Sequence, residues 1–245
     1  MARFAFGDDL KVKRIGATDQ VAQQLRTMIA DGRLPQGTRL PEVPLAEALG
    51  VSRNTLRDGI RILSSEGLLT HVLNRGAVVR SLSPEDVSDI YGLRRWLELD
   101  GLAAVPNAPG DVRAEALEAL DACAAAIDRD DYGDFVEHEL EFHAALVSHL
   151  GSPRLDRFFA QVIGELRLLF SDLTSDSQPG RAAELLKMYR AIYTSAEGGE
   201  VAAAQRRLTE HLDVYETRLR EVARSRLEAE KGQHGGPNAA ARGSG

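Results

Sequence analysis

From Thr18 onward the apolar residues of this chain recur with helical spacing. Val21, Ala22, Leu25, Met28 and Ile29 share one face, Thr18 or Asp19 is placed to cap, and Gly32 ends the run. The next stretch, GRLPQGTRLPE, has no period and holds Pro35, Gly37 and Pro41, so it reads as a connector. Leu45, Ala46 and Leu49 resume the helical spacing until Gly50. Ser52 then opens a second helix, because its hydroxyl can accept an orphan N–H of the first turn. That helix continues through Ile60 and Leu63 and stops near Gly67. Leu68 to Arg80 is the one convincing β segment, with Val, Leu and Thr on either side of an Asn74-Arg75-Gly76 turn. Two short helices joined by a tight turn and followed by a hairpin make a winged helix-turn-helix.

Ser83-Pro84-Glu85-Asp86 begins something different. Ser caps, Pro suits the first helical position, and acids favour a helix N-terminus. Helices are predicted over 84–104, 111–129, 131–150, 153–174, 180–197 and 200–228, with no strand pattern between them. The expected fold class is therefore mainly α: an N-terminal winged helix-turn-helix with a small β-hairpin wing, followed by an all-α helical bundle. The divisions expected are a flexible arm over 1–15, a winged helix over 16–82, a helical effector-binding and dimerisation domain over 83–228, and a disordered tail over 229–245. Lys11, Lys13 and Arg14 give the arm a basic character.

Charge separates the same two parts. The 245 residues carry a net −7, which argues against a generic nucleic-acid binder. Residues 1–82, however, hold 12 Lys and Arg against 8 Asp and Glu, a net +4, while residues 83–245 hold 18 against 29, a net −11. A basic head on an acidic body is expected when only the head faces phosphate. Cys123 is the only cysteine, so no intrachain disulfide can form and a reducing cytoplasm fits. No apolar run is long enough to cross a bilayer, and the start does not look like a signal peptide.

The second helix of the pair opens with Arg53, Asn54 and Thr55, and Arg57 lies one turn on. In a helix-turn-helix this first turn enters the major groove. Arg grips guanine or phosphate, Asn reads adenine, and Thr meets a thymine methyl or a phosphate. Solvated surface arginines would explain the same letters; the hairpin directly after the pair decides for DNA. The candidate contact set is Arg39, Ser52, Arg53, Asn54, Thr55 and Arg57, with Asn74, Arg75 and Gly76 of the wing reaching phosphates or the minor groove.

In the bundle, polar residues fall on apolar stripes. Arg94 and Glu98 share a stripe with Val87, Ile90, Tyr91 and Gly101. Glu139 and His143, one turn apart, share one with Phe135, Phe142, Leu146 and Leu150. Tyr189 and His211 lie on apolar stripes of two later helices. A buried charge needs a partner. Each residue alone would be read as an ordinary satisfied core group, but Arg94, Glu139, His143, Tyr189 and His211 on four helices point to one polar pocket. His138 and His149 flank it.

The segments GRLPQGTRLPE, LAEALGVSRNTLRDGIRILSSEGLL and NRGAVV resemble the winged-helix domain of the GntR family of bacterial transcription regulators, over about Val21 to Val79. Asp58-Gly59 departs from the commoner Glu-Ala and costs helix propensity. LRRWLELDGLAA, ELEFHAALVSHLGSPRL and YRAIYTSAEGGEVAAAQRRLTEHL resemble the FCD domain of the FadR subfamily, over roughly 84–222. That resemblance implies a carboxylate effector held by an Arg and a divalent metal on an Asp and three His. Position by position these become Glu139, His143, Tyr189 and His211. Two histidines of three are kept, and Tyr is a poor zinc ligand unless deprotonated. Glu139, His143 and His211 are thus the candidate ligands for zinc, nickel or manganese. A metal-free pocket, with Arg94 holding the acid group and His143, Tyr189 and His211 hydrogen-bonding it, is the preferred form.

The expected function is a cytoplasmic, bacterial, homodimeric regulator, read as a repressor. It would bind a pseudo-palindromic operator in double-stranded DNA, with affinity set by a small organic or fatty acid. It is expected not to be an enzyme and not to contact a membrane. The rival enzyme reading is a helical metal-dependent hydrolase built on His143, His211 and Glu139, for which no separate acid/base pair is found. A second rival is an architectural protein whose winged helix reads no DNA.

Overall fold

The computed structural model describes residues 16–30, 32–171, 173 and 180–234. The N-terminal arm lies outside the described residues, as does everything after residue 234.

The first helix, α1, spans Ala17–Ala30 and buries Val21, Ala22, Leu25 and Ile29, the stripe that the spacing predicts. It starts one residue earlier than Thr18. Gly16 takes the capping position, and Asp19 reaches back to accept its N–H at 3.1 Å, so Asp19 works from inside the first turn. Helix α2 spans Glu42–Leu49 and ends at Gly50, whose φ of 65° reverses the chain. Helix α3 spans Arg53–Ser65, with the Ser52 side chain accepting from Thr55 N at 3.1 Å. Strands β1 (Leu69–Val72) and β2 (Gly76–Val79) pair antiparallel, Leu69 opposite Val79 and Val72 opposite Gly76. The connector lies against the free edge of β2. Leu40 N donates to Ala77 O and Val79 N to Thr38 O, which places Arg39 beside Val78.

Gly59 has a packing reason. It is buried in α3, and a Cβ there would lie 2.7 Å from Val21 Cγ1. The helix propensity lost relative to alanine is exchanged for a close crossing of α1 and α3.

The bundle follows as α4 (Pro84–Ala104), α5 (Gly110–Asp128), α6 (Tyr132–Ser148), α7 (Pro153–Ser171), α8 (Arg181–Glu197) and α9 (Val201–His234). A short 3-10 turn, Val105–Asn107, joins α4 to α5. Helix α4 begins with a reciprocal capping box between Ser83 and Asp86, with Pro84 in the first turn. Helix α6 packs on α4, α5 and α7, and α9 packs on α4 and α8. One apolar core runs from Val21 to Ala223 through both parts of the chain.

Two expectations change. Helix α9 runs on to His234, so residues 229–234 are helical rather than tail. Glu228, Ala229, Glu230 and Lys231 are good helix formers, and the helix runs on past Ala223, the last buried residue among those whose burial is described. Helix α7 ends at Ser171, short of the predicted 174. Among the described residues no helix is long and apolar enough to cross a membrane.

Candidate functional site

The two predicted sites lie on different parts of the molecule. In the head, Arg53, Asn54 and Arg57 are exposed on the opening turns of α3, and Thr55 is half-buried. Ser52 is committed to the cap, and its Oγ also lies 2.8 Å from Thr55 Oγ1. Arg57 is not free-standing: its Nε donates to Glu42 Oε2 at 2.7 Å. At the wing tip Leu73, Asn74 and Arg75 are exposed, with Asn74 at φ 64° and Gly76 at φ 78°. Arg39 is exposed on the connector beside the wing. The sequence reading missed Leu73, which at 85% is the most exposed of the large apolar side chains among the described residues. It also missed Glu42, the partner that holds Arg57.

The buried polar cluster is built on a close helix crossing. A Cβ at Gly101 of α4 would overlap the carbonyl oxygen of Leu146 of α6, so the two backbones touch there. One turn back on each helix lie Glu98 and His143. The crossing therefore sets the Glu98 carboxylate 2.7 Å from His143 Nδ1. Glu98 also accepts from Arg94 Nε at 2.6 Å, one turn earlier on α4. The Arg94 guanidinium lies over the Tyr91 ring, 4.9 Å from its centroid.

A second network faces the first. The Tyr189 hydroxyl donates to Glu139 and lies 2.8 Å from His211 Nε2. The single hydroxyl proton goes to Glu139, so His211 Nε2 is the donor to Tyr189. The His143 and His211 rings stack with centroids 6.1 Å apart, and Phe142 packs against His143 and Tyr189. All five predicted pocket residues are buried together, as is Glu98. Glu98 stood on the Arg94 stripe, and its signal was the i, i+4 spacing from Arg94.

Burial governs the charges. It pushes the Glu98 carboxyl up, but Arg94 and His143 outweigh that and hold it below the usual carboxylate range. Burial opposes the Arg94 charge, yet Glu98 keeps it firmly protonated. Glu139 is raised by burial, which His143 and the Tyr189 hydroxyl only partly offset. His211 is pushed well down by burial and by His143 and Arg94 beside it, so it is neutral. Burial and Glu139 push the Tyr189 phenol well up.

Three atoms of this cluster are left over, the Tyr91 hydroxyl among them. Arg94 Nη2 and His143 Nε2 are sealed from solvent with no hydrogen-bond partner among the described residues. Glu139, His143 and His211 each offer a ligand atom, all within 4.8 Å of one another. The donor set fits a divalent cation: a carboxylate, a neutral histidine, and a second histidine whose Nδ1 is oriented by a carboxylate. The flanking histidines are elsewhere engaged. His138 pairs with Glu141 at 2.7 Å, and His149 bridges Ala145 O and the Tyr193 hydroxyl.

Both parts of the chain match known protein families. Residues 17–79 match the profile described as bacterial regulatory proteins, gntR family, and residues 89–214 match the FCD domain. A relative from Paenarthrobacter nicotinovorans named "Probable D-xylose utilization operon transcriptional repressor" is 29% identical over 212 residues, covering 84% of this chain and 92% of its own length. The crystal structure of a GntR transcriptional regulator from Rhodococcus sp. RHA1 is 34% identical with a TM-score of 0.71, covering 82% of this chain and 96% of its own. E. coli McbR/YncC shares the fold at 22% identity and a TM-score of 0.68, over 85% of this chain and 99% of its own.

Proposed function

Since the chain belongs to the GntR family of bacterial regulatory proteins and carries an FCD domain, we propose that it is a transcriptional repressor whose hold on its operator is set by a small acid bound in the bundle. Two winged helices of a homodimer read a pseudo-palindromic operator in double-stranded DNA. Phosphate contacts supply most of the affinity, and Arg53, Asn54 and Arg57 most of the sequence choice. Binding of the effector favours one placement of the heads, and operator binding alters effector affinity by the same factor. The molecule works as a cytoplasmic regulator, not as an enzyme.

The observation that carries the effector reading is the pair of orphaned buried atoms, Arg94 Nη2 and His143 Nε2. A buried donor without a partner is costly, and a ligand acid group accepting from Arg94 Nη2 removes that cost. His143 Nε2, an acceptor because Nδ1–H donates to Glu98, takes a proton-bearing group of the same ligand. Glu98 fixes the orientation of both groups before the ligand arrives. The Tyr189 hydroxyl meanwhile holds Glu139 and His211 without a metal.

A second reading is favoured by the ligand atoms lying within 4.8 Å of one another. Glu139, His143 and His211 would hold a divalent cation, which would supply the net positive charge that Arg94, already paired with Glu98, does not.

The test has two arms. Arg53→Ala and Arg57→Ala should abolish binding to the operator at moderate salt while the fold and dimer survive. A thermal-shift screen of small organic acids should yield a stabilising ligand that Arg94→Lys no longer recognises, because lysine lacks the guanidinium fork. A retained gel shift in both head variants sinks the DNA reading; an acid that stabilises Arg94→Lys equally sinks the pocket reading.

A further inference from the structure

We propose that Gly164 and Glu66 are positioning residues for the recognition helix. Their contact fixes the angle between head and bundle, and so makes the spacing between operator half-sites part of sequence selection. This rests on the dimeric DNA-binding reading above.

The contact is backbone on backbone. Glu66 caps the end of α3, and a Cβ on Gly164 in mid-α7 would overlap the Glu66 carbonyl oxygen, with the carbonyl carbon 3.0 Å away. Gly67, at φ 79°, also approaches the same helix, though less closely: a Cβ there would lie 3.3 Å from Gln161 O and from Glu165 Cγ. The end of the recognition helix is seated in a notch that a glycine opens on α7.

Two further struts reach the same face. Arg80, at the exit of the wing, donates to Glu165 at 2.5 Å. Gln36 of the connector, buried at 7%, donates to Leu168 O at 2.9 Å and accepts from Leu82 N at 3.0 Å. Gln161, Gly164, Glu165 and Leu168 stand at i, i+3, i+4 and i+7, one side of one helix. The recognition helix, the wing and the connector are thus all tied to a single face of α7. A head held at three points does not swing freely about its Ser81–Ser83 link, so a dimer in this placement presents its two recognition helices at one separation and one angle.

The experiment uses the full-length protein. Duplexes selected from a random library by the wild type define the inverted repeat, and the spacer is then lengthened and shortened by one to three base pairs. Wild type should lose about a hundredfold in affinity once both half-sites cannot be engaged together. Gly164→Ala, and the milder Gln36→Leu, should bind an isolated half-site as wild type does yet vary by no more than about threefold across the spacer series. A merely structural role would lower affinity for every spacing alike. The proposal is overturned if wild type tolerates all spacings, or if a folded Gln36→Leu or Gly164→Ala keeps the wild-type spacing preference. Should wild type select no duplex at all, the DNA-binding reading itself has failed, before any variant is made.

Discussion

Glu98 holds His143 by its Nδ1 at 2.7 Å with the same carboxylate that neutralises Arg94. Three buried groups on two helices are therefore interdependent. Removing the carboxylate alone leaves a guanidinium sealed in the core without a counter-charge. Glu98→Gln should cost about 3–5 kcal/mol, whereas Arg94→Leu with Glu98→Leu should recover much of that loss, because well-packed apolar replacements of a buried pair are often near neutral. Urea unfolding of Arg94→Leu, Glu98→Leu and the double variant gives the coupling energy. A Glu98→Gln protein as stable as wild type would mean that Arg94 finds another partner.

His211 makes stability depend on pH in a definite direction. Burial keeps its folded pKa well below the ordinary histidine value, so the unfolded chain binds the proton and the folded chain does not. The stabilisation is present above about pH 6.5 and is lost as pH falls below it. Glu98, whose folded pKa is also depressed, adds a second loss at lower pH, below the ordinary carboxylate value. Unfolding free energies measured from about pH 8 down to about 3 should decline first where ordinary histidines titrate and again below the ordinary carboxylate value. His211→Gln should flatten the histidine part of the curve and leave the carboxylate part in place.

Much of this was legible in the chain. Caps and stops are local chemistry, so Ser52, Gly50, Ser83 and Pro84 marked helix ends that the structure keeps. The pocket residues were legible because a charge on an apolar stripe has nowhere else to point. Glu98 was on such a stripe too, but spacing alone does not distinguish a residue that lines a site from one that braces it. The seat of α3 on α7 was not legible. Gly164 and Glu66 are distant in sequence, and a glycine in a helix shows the same letter whether it is a flaw or a notch. The α1 start was misplaced because Asp19 serves equally as a cap or as an acceptor one turn in.

Gly59 offers a direct measurement of that ambiguity. Alanine should add about 0.8–1.0 kcal/mol of helix propensity, but its methyl would lie 2.7 Å from Val21 Cγ1. Overpacking of this kind costs about 1–3 kcal/mol, so Gly59→Ala should be neutral to destabilising. Combined with Val21→Ala, the same substitution should be better tolerated than on its own, because the obstructing methyl is gone. Thermal melts of the two single variants and the double test the sign. Equal effects of Gly59→Ala in both backgrounds would show that Val21 is not the obstacle.

Arg57 is held by Glu42 across the helix pair, at 2.7 Å with the Arg57 side chain half exposed. An ion pair on the surface contributes at most about 1 kcal/mol, and DNA must compete with it. Glu42→Ala should therefore tighten operator binding by up to about fivefold, with little change in its dependence on salt as Arg57 turns fully to its base. Fluorescence anisotropy with the selected duplex over a salt series measures both. A steeper salt slope would place Arg57 on the backbone rather than on a base.

Tyr189 decides between the two forms of the pocket. Its hydroxyl holds Glu139 and His211 together, which is what a cation between them would otherwise do. Protein purified without chelator should accordingly carry well under one equivalent of zinc, nickel or manganese by elemental analysis. Tyr189→His would complete a four-ligand set, and its zinc affinity should exceed that of wild type by on the order of tenfold or more. Tyr189→Phe should lose stability without gaining metal, since it leaves Glu139 and His211 without their shared partner. One equivalent of metal in the wild-type protein would overturn the metal-free form and make the tyrosine a bystander.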